Sequence, residues 1–412
     1  MSPRRLPKVA RAALVLGAAL SSVALALGLA GVAAAGEVAG APDRWGGVSP
    51  SPRLRAPDPS PEWSGPSGRA FRLAREPVKP QAVRGLYMTG WTAGRPAEFL
   101  RLLALIDGTE LNAAVVDVKD VTGRTTYPTR VPAAVAAGAS SSLIPDLRAL
   151  VRELERRHIY PIARLVVFCD PVLARARPEL AVSRAGGGIW RDRTGAGWTN
   201  PYLPQVWEYN LALAAEAVEA GFREIQFDYV RFPSDGFIQG CVYPGADGRP
   251  RSRVVAAFLS LARERLGRLG AVVSADIFGL VPSAEDDLGI GQYLEHLAPA
   301  VDILCPMAYP SHYAPGSFGL PDPDLEPRAT VSRTLSDALH RLKRWDPAPV
   351  LRPWLQDFSL RNPYGPSQVR AEIQAVLDAG LESYLLWNPS NRYTAGALRP
   401  ASRDWGVPLP LP

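Results

Sequence analysis

Eight times between residues 84 and 389 a short apolar run gives way to a longer stretch with helical spacing. The runs are "RGLYMTG" (84–90), "NAAVVDVKD" (112–120), "YPIARLVVF" (160–168), "EIQFDYV" (224–230), "AVVSADIFG" (271–279), "VDILCPMAY" (301–309), "VLRPWLQDF" (350–358) and "ESYLLWNP" (382–389). Between them lie patterns such as "PDLRALVRELERRH" and "SRVVAAFLSLARERLGRLG". A strand must bury its apolar faces, and eight strand–helix units in series predict a parallel (β/α)₈ barrel, the TIM-barrel fold, over 81–412.

The connections are lopsided in the way such a barrel requires. Gly221, Gly270 and Gly380 lead almost directly into the fourth, fifth and eighth runs. The strand-to-helix loops are long, notably 169–203, 231–250, 277–288, 308–327 and 357–366. In this fold the site is built from strand-to-helix loops at the C-terminal face, so function is expected at that end.

Within the fourth run, alternation puts Ile225, Phe227 and Tyr229 on one face and Gln226, Asp228 and Val230 on the other. Asp228 then looks from the strand end into the barrel mouth, where a carboxylate needs donors or a cation. The same reading brings Asp276 to the mouth from the fifth strand, and Asp117, Lys119 and Asp120 from the second. It adds Arg164 from the third, Tyr309 and the loop residue His312 from the sixth, Arg352, Trp354 and Gln356 from the seventh, and Trp387 from the eighth. Arg231 and Asp357 fall just past their strands.

Paired carboxylates suit glycoside hydrolysis, and aromatic faces at a polar rim suit stacking on sugar rings. Asp228 is the expected nucleophile or transition-state stabiliser, beside Arg164 or Arg231, and Asp276 the expected general acid/base. Asp120 and Asp357 are reserves for the acid. Asp117, Arg164, Arg231, Tyr309, His312, Trp354 and Trp387 complete the expected binding set. A separation of about 5–5.5 Å between the two catalytic carboxyls goes with retention, and about 6.5–9.5 Å with inversion. Each residue also has a structural reading: Asp228 as ion-pair partner of an arginine, Asp117 with Asp120 as a buried charge cluster, the aromatic rings as core.

Other chemistries leave no signature. His-x-His, His-Glu-x-x-His and Cys-x-x-Cys spacings are absent, as are a Gly-x-Ser-x-Gly elbow and a Walker loop. No cofactor or transition metal is expected, although carboxylates could hold calcium. The net charge of +6 falls to +2 without Arg4, Arg5, Lys8 and Arg11, so nucleic acid is not an expected partner and no protein partner can be inferred. Those four charges precede an uncharged apolar run, Ala12 to Gly36, which reads as an export signal or a retained membrane anchor over 1–36. Residues 37–80 are rich in proline, serine and glycine and read as a tether. The remainder is expected to work outside the cytoplasm, secreted or anchored at the membrane's outer side. Three cysteines, Cys169, Cys241 and Cys305, are too few for a disulfide framework.

Nine ordered motifs carry a resemblance: "VVDVKD", "ARLVVFCDP", "GGGIWRDR", "EIQFDYVRFPSDG", "SADIFGLV", "GIGQYLE", "CPMAYPSHY", "RPWLQDF" and "LLWNPSN". Over nearly all of 82–400 the chain resembles a bacterial family called "Putative glycosyl hydrolase domain". The resemblance implies an exported or envelope-associated (β/α)₈ barrel related to sugar-cleaving enzymes, with Asp228 at the position where their fourth strand carries a catalytic aspartate. The chitinase-type D-x-x-D-x-D-x-E run is absent, so a substrate-assisted route for N-acetyl sugars has no support. The expected partner is a polysaccharide or oligosaccharide. Two rivals stay open: a sugar-binding barrel without catalysis, and Schiff-base chemistry at Lys119.

Overall fold

The computed structural model describes residues 82–401; the expected signal, tether and the last eleven residues lie outside the described residues. All eight strands form where the apolar runs place them. They are β1 (Arg84–Met88), β2 (Ala113–Lys119), β3 (Tyr160–Val166), β4 (Glu224–Asp228), β5 (Val272–Phe278), β6 (Ile303–Met307), β7 in two pieces (Val350–Leu351 and Trp354–Gln356) and β8 (Tyr384–Trp387). Each pairs in parallel with the next, and β8 pairs with β1 through Arg84↔Tyr384 and Gly85↔Leu385, so the sheet closes.

The helical outer layer contains α1 (Pro96–Asp107), α2 (Leu147–Arg156), α3 (Pro204–Ala220), α4 (Arg251–Arg268), α5 (Pro327–Leu342) and α6 (Pro366–Asp378). Between β5 and β6 that layer shrinks to the single turn Leu294–Leu297 and two 3₁₀ turns, Val281–Ser283 and Ala298–Ala300. Local chemistry sets the ends. Asp146 caps α2 by accepting from the N–H of Ala149 at 2.8 Å. Gly221 ends α3 at φ 115°, a left-handed conformation that L side chains rarely adopt. Among the described residues no helix is long and apolar enough to cross a membrane.

Two cores result. Outward residues such as Leu86, Val116, Ile225, Phe227, Val273 and Ile277 pack under the helices. A smaller cluster fills the barrel interior, with Ala113, Val115, Ile162, Ile303, Cys305 and Leu385 among its members. The interior also holds an ion pair, because the Arg352 guanidinium donates to the Glu224 carboxylate, which accepts from Ser274 Oγ as well. Pairing of Ser183–Arg184 with Cys241–Val242 ties the loop after β3 to the loop after β4.

Two local departures from alternation shape the mouth. Between Asp117 and Lys119 the register on β3 advances by one residue instead of two. This bulge turns Lys119 out of the barrel, against the expectation that it shares a face with Asp117. Its ammonium is fully buried against Asp170 at 2.6 Å and donates to Asn210 of α3 at 3.0 Å. The second departure is Tyr229, at φ 49°. That strained turn brings Tyr229 to the cavity beside Asp228, whereas simple alternation sends it outward, and Val230 joins the outer core instead.

Candidate active site

A cavity of about 230 Å³ opens at the C-terminal end of the strands, walled by side chains from every part of the barrel. Its centre is Arg164 on β3. The guanidinium donates from Nη1 to Asp117 Oδ1 at 2.5 Å, and from Nη2 and Nε to Asp228 Oδ2 at 2.5 and 3.0 Å. Asp228 Oδ1 accepts from the backbone N–H of Tyr229 at 2.6 Å. These partners of Asp228 are all donors, an arrangement that suits an ionised carboxylate. Its ionic partner is Arg164. Arg231 instead lies over the rings of Trp198, Tyr229 and Phe278, at 5.0, 4.9 and 4.7 Å, and donates to the Phe232 carbonyl and Ser234 Oγ.

Asp276, from the adjacent strand, has a different environment. Trp354 Nε1 donates to its Oδ1 at 2.7 Å. Burial and the neighbouring Asp228 charge push its pKa well above the ordinary aspartate value, only partly opposed by Arg164 and that indole bond. Asp117 is raised to about 6, first by burial, with Arg164 and the Tyr87 hydroxyl pulling the other way. The Tyr87 hydroxyl donates to Asp117 Oδ2 at 2.5 Å. Three carboxyls thus surround one guanidinium, and burial raises the proton affinity of Asp117 and Asp276.

Aromatic rings line the rest. Trp387 stacks on Tyr87 with centroids 4.0 Å apart, and Arg164 sits 5.1 Å from the Trp387 ring and 5.4 Å from that of Tyr87. Trp354 meets Trp387 edge-on, and Tyr309, His312 and Phe358 form a second group on the β6–β7 side. Trp91 stands at the rim, 59% exposed.

Of the residues expected at the mouth, Asp117, Asp120, Arg164, Asp228, Arg231, Asp276, Tyr309, His312, Trp354 and Trp387 line this cavity. Asp120 lies at its edge, with Oδ1 accepting from the Thr122 N–H and hydroxyl. Asp357 stands apart: both its oxygens accept from Thr394, which fixes the segment after β8. Arg352 and Gln356 serve interior and loop contacts, and Lys119 lies behind the wall. Tyr87, Trp91, Phe278 and Phe358 line the cavity without having been expected there. Tyr87 was legible, since Gly85 and Tyr87 alternate against Leu86 and Met88. Trp91 lies past the strand end, where periodicity carries no signal. Among the described residues no group of three or more metal-ligating side chains converges.

Solved structures with this architecture include the PgaB (BpsB) glycoside hydrolase domain from Bordetella bronchiseptica, with TM-score 0.54, 14% identity, and coverage of 75% of this chain and 95% of that one. At that identity the likeness shows the fold. The glycoside hydrolase domain of PelA from Pseudomonas aeruginosa also matches, at 15% identity over 76% of this chain and 97% of its own, with TM-score 0.45. A hypothetical protein from Ruminiclostridium thermocellum ATCC 27405 is 38% identical, covering 50% of this chain and 98% of its own, with TM-score 0.44. No curated protein matches the chain. The profile of one family spans residues 85–393, nearly the whole barrel, and on that match the chain belongs to the family described as "Putative glycosyl hydrolase domain".

Proposed function

We propose that the barrel hydrolyses a polysaccharide or oligosaccharide outside the cytoplasm, with Asp228 and Asp276 as its reacting carboxyls. The observation that carries this reading is the contrast between them. Asp228 is surrounded by donors, while burial and that neighbouring negative charge raise the pKa of Asp276. A glycosidase needs this division: a carboxylate to attack or stabilise the anomeric carbon and a carboxylic acid to protonate the leaving oxygen. Arg164 holds Asp228 in place, and the indole of Trp354 orients Asp276. Trp387, Tyr309 and Tyr87 offer ring faces for the sugar, with Trp91 as an outer platform. Family membership favours the same chemistry. The apolar run at 12–36, flanked by basic residues, favours export or anchoring, with 37–80 as the tether.

The test is the product profile of the purified protein on a panel of bacterial polysaccharides, with Asp228→Asn alongside. New reducing ends from the wild type, reduced at least 10³-fold or so in a folded Asp228→Asn variant, are expected from loss of the nucleophile or stabiliser. Full activity in that variant removes Asp228 from the chemistry. Binding of an oligosaccharide by both proteins, with cleavage by neither, identifies a sugar-binding barrel.

A further inference from the structure

His312 lies in the turn after β6, 5% exposed, on the cavity wall with Tyr309 and Phe358. Which of its two ring nitrogens carries the proton follows from a chain of hydrogen bonds behind it. Gln356 Nε2 faces the Phe358 carbonyl at 2.9 Å, which can only accept. Gln356 Oε1 faces the backbone N–H of Ser311 at 3.0 Å, which can only donate. The amide is thereby fixed in one orientation. Ser311 Oγ lies 2.8 Å from that same Oε1, so its single hydroxyl proton is committed there. The other neighbour of Ser311 Oγ is His312 Nδ1 at 3.0 Å, and with its proton spent the oxygen can only accept. Nδ1 must therefore be the protonated nitrogen, and Nε2 carries the lone pair.

Nε2 has no hydrogen-bond partner among the described residues, and His312 lines the cavity. We infer that His312 is a specificity residue that presents a bare Nε2 acceptor to the substrate and reads a hydrogen-bond donor, hydroxyl or amide N–H, on an uncharged sugar unit. An acceptor on a wall of aromatic rings repels a uronate carboxylate or a phosphate ester placed against it, because neither brings a proton to share. Burial and the charge of Arg361 hold the imidazole down to about 4, so it stays an acceptor at neutral pH and does not become a cation that would welcome an anion. The identification of the ligand as a sugar rests on the hydrolase reading; the tautomer does not.

The experiment is ¹⁵N-histidine NMR of the full chain, with the His312 signal assigned by its loss in His312→Gln. A neutral ring protonated at Nδ1 and bare at Nε2 is expected at pH 7, and an Nε2–H tautomer or an imidazolium overturns the inference. Three probes are then added: cellohexaose, chitohexaose and hexagalacturonic acid. A shift of Nε2 with cellohexaose assigns a hydroxyl as the donor, and a shift with chitohexaose alone assigns the amide N–H. A response to none, or one to the uronate as strong as to the neutral sugars, overturns it. For the sugar that responds, His312→Phe should weaken binding roughly tenfold, the loss of one buried hydrogen bond. His312→Gln, whose amide oxygen reaches the Nε2 position, should recover most of it. Equal affinity in the Phe variant refutes the contact. A shifted Nε2 without any new reducing ends refutes the hydrolase reading and leaves this one standing.

Discussion

Asp117 shows how one residue's surroundings become a property of the whole protein. Its carboxyl is buried, and its pKa moves from 3.8 to about 6 against the pull of Arg164 and Tyr87. The folded state thus binds a proton that the unfolded chain has released, so this group's contribution to stability falls as pH rises from about 4 through 6. A tenfold difference in proton affinity between the two states corresponds to about 1.4 kcal/mol. Asp117→Asn keeps an oxygen for Arg164 but cannot titrate. Urea unfolding of both proteins at intervals between pH 4 and 7 should show the wild type losing stability relative to the variant across that window. Parallel curves would mean that Asp117 is ionised throughout. Asp228, Asp276 and Arg164 were readable at this scale, because each sits at the interior phase of a strand and period-two alternation places them at the mouth. Whether Arg164 or Arg231 pairs with Asp228 was not readable, because that depends on which donors reach which oxygen.

At the scale of the element, the bulge in β2 decides the fate of Lys119. Strict alternation would carry its ammonium into the cavity as a candidate Schiff-base amine. The one-residue slip in register carries it to the helix side instead, where Asp170 both pairs with it and caps the helix Pro171–Ala176 by accepting from the Leu173 N–H. That pair fastens the start of the long 169–203 loop to the outside of β2. Lys119→Met should leave Asp170 charged and unpaired in the interior, costing roughly 3–5 kcal/mol in chemical denaturation. Adding Asp170→Asn, which retains the capping oxygen, should recover much of the loss. A Lys119→Met variant as stable as wild type would show that the pair contributes nothing. A bulge leaves no mark on hydrophobic patterning, since Val118 and Lys119 read the same on either register. The strain at Tyr229 is hidden for the same reason: nothing in "FDYVRF" marks the one residue with positive φ.

Across the whole molecule, closure joins segments some three hundred positions apart, as in the bond from the Val83 N–H to Ser383 Oγ at 2.9 Å. Inside the closed sheet, Arg352 from the stretch between the two pieces of β7 reaches Glu224 of β4, and Ser274 of β5 completes the contact. Both charged side chains are buried beneath the cavity floor. Arg352→Met should destabilise the barrel by roughly 3–5 kcal/mol, because it strands the Glu224 carboxylate in a low-dielectric interior. Urea unfolding checks this, and a double variant that also carries Glu224→Gln should regain part of the stability. No loss in the single variant would mean that water reaches the pair.

The order and approximate positions of the eight strands and the parallel barrel were determined by sequence alone. Each follows from local burial and chain connectivity: apolar runs of strand length, intervening helical faces, and short turns on one side against long loops on the other. The partners of the charges were decided by tertiary structure. Arg164 selects Asp117 and Asp228, Arg231 stacks on rings, Asp357 holds Thr394, and Lys119 turns outward. These choices are made at separations of a few ångströms between strands distant in sequence. Electrostatics and hydrogen-bond geometry operate at that range, and no one-dimensional pattern records it.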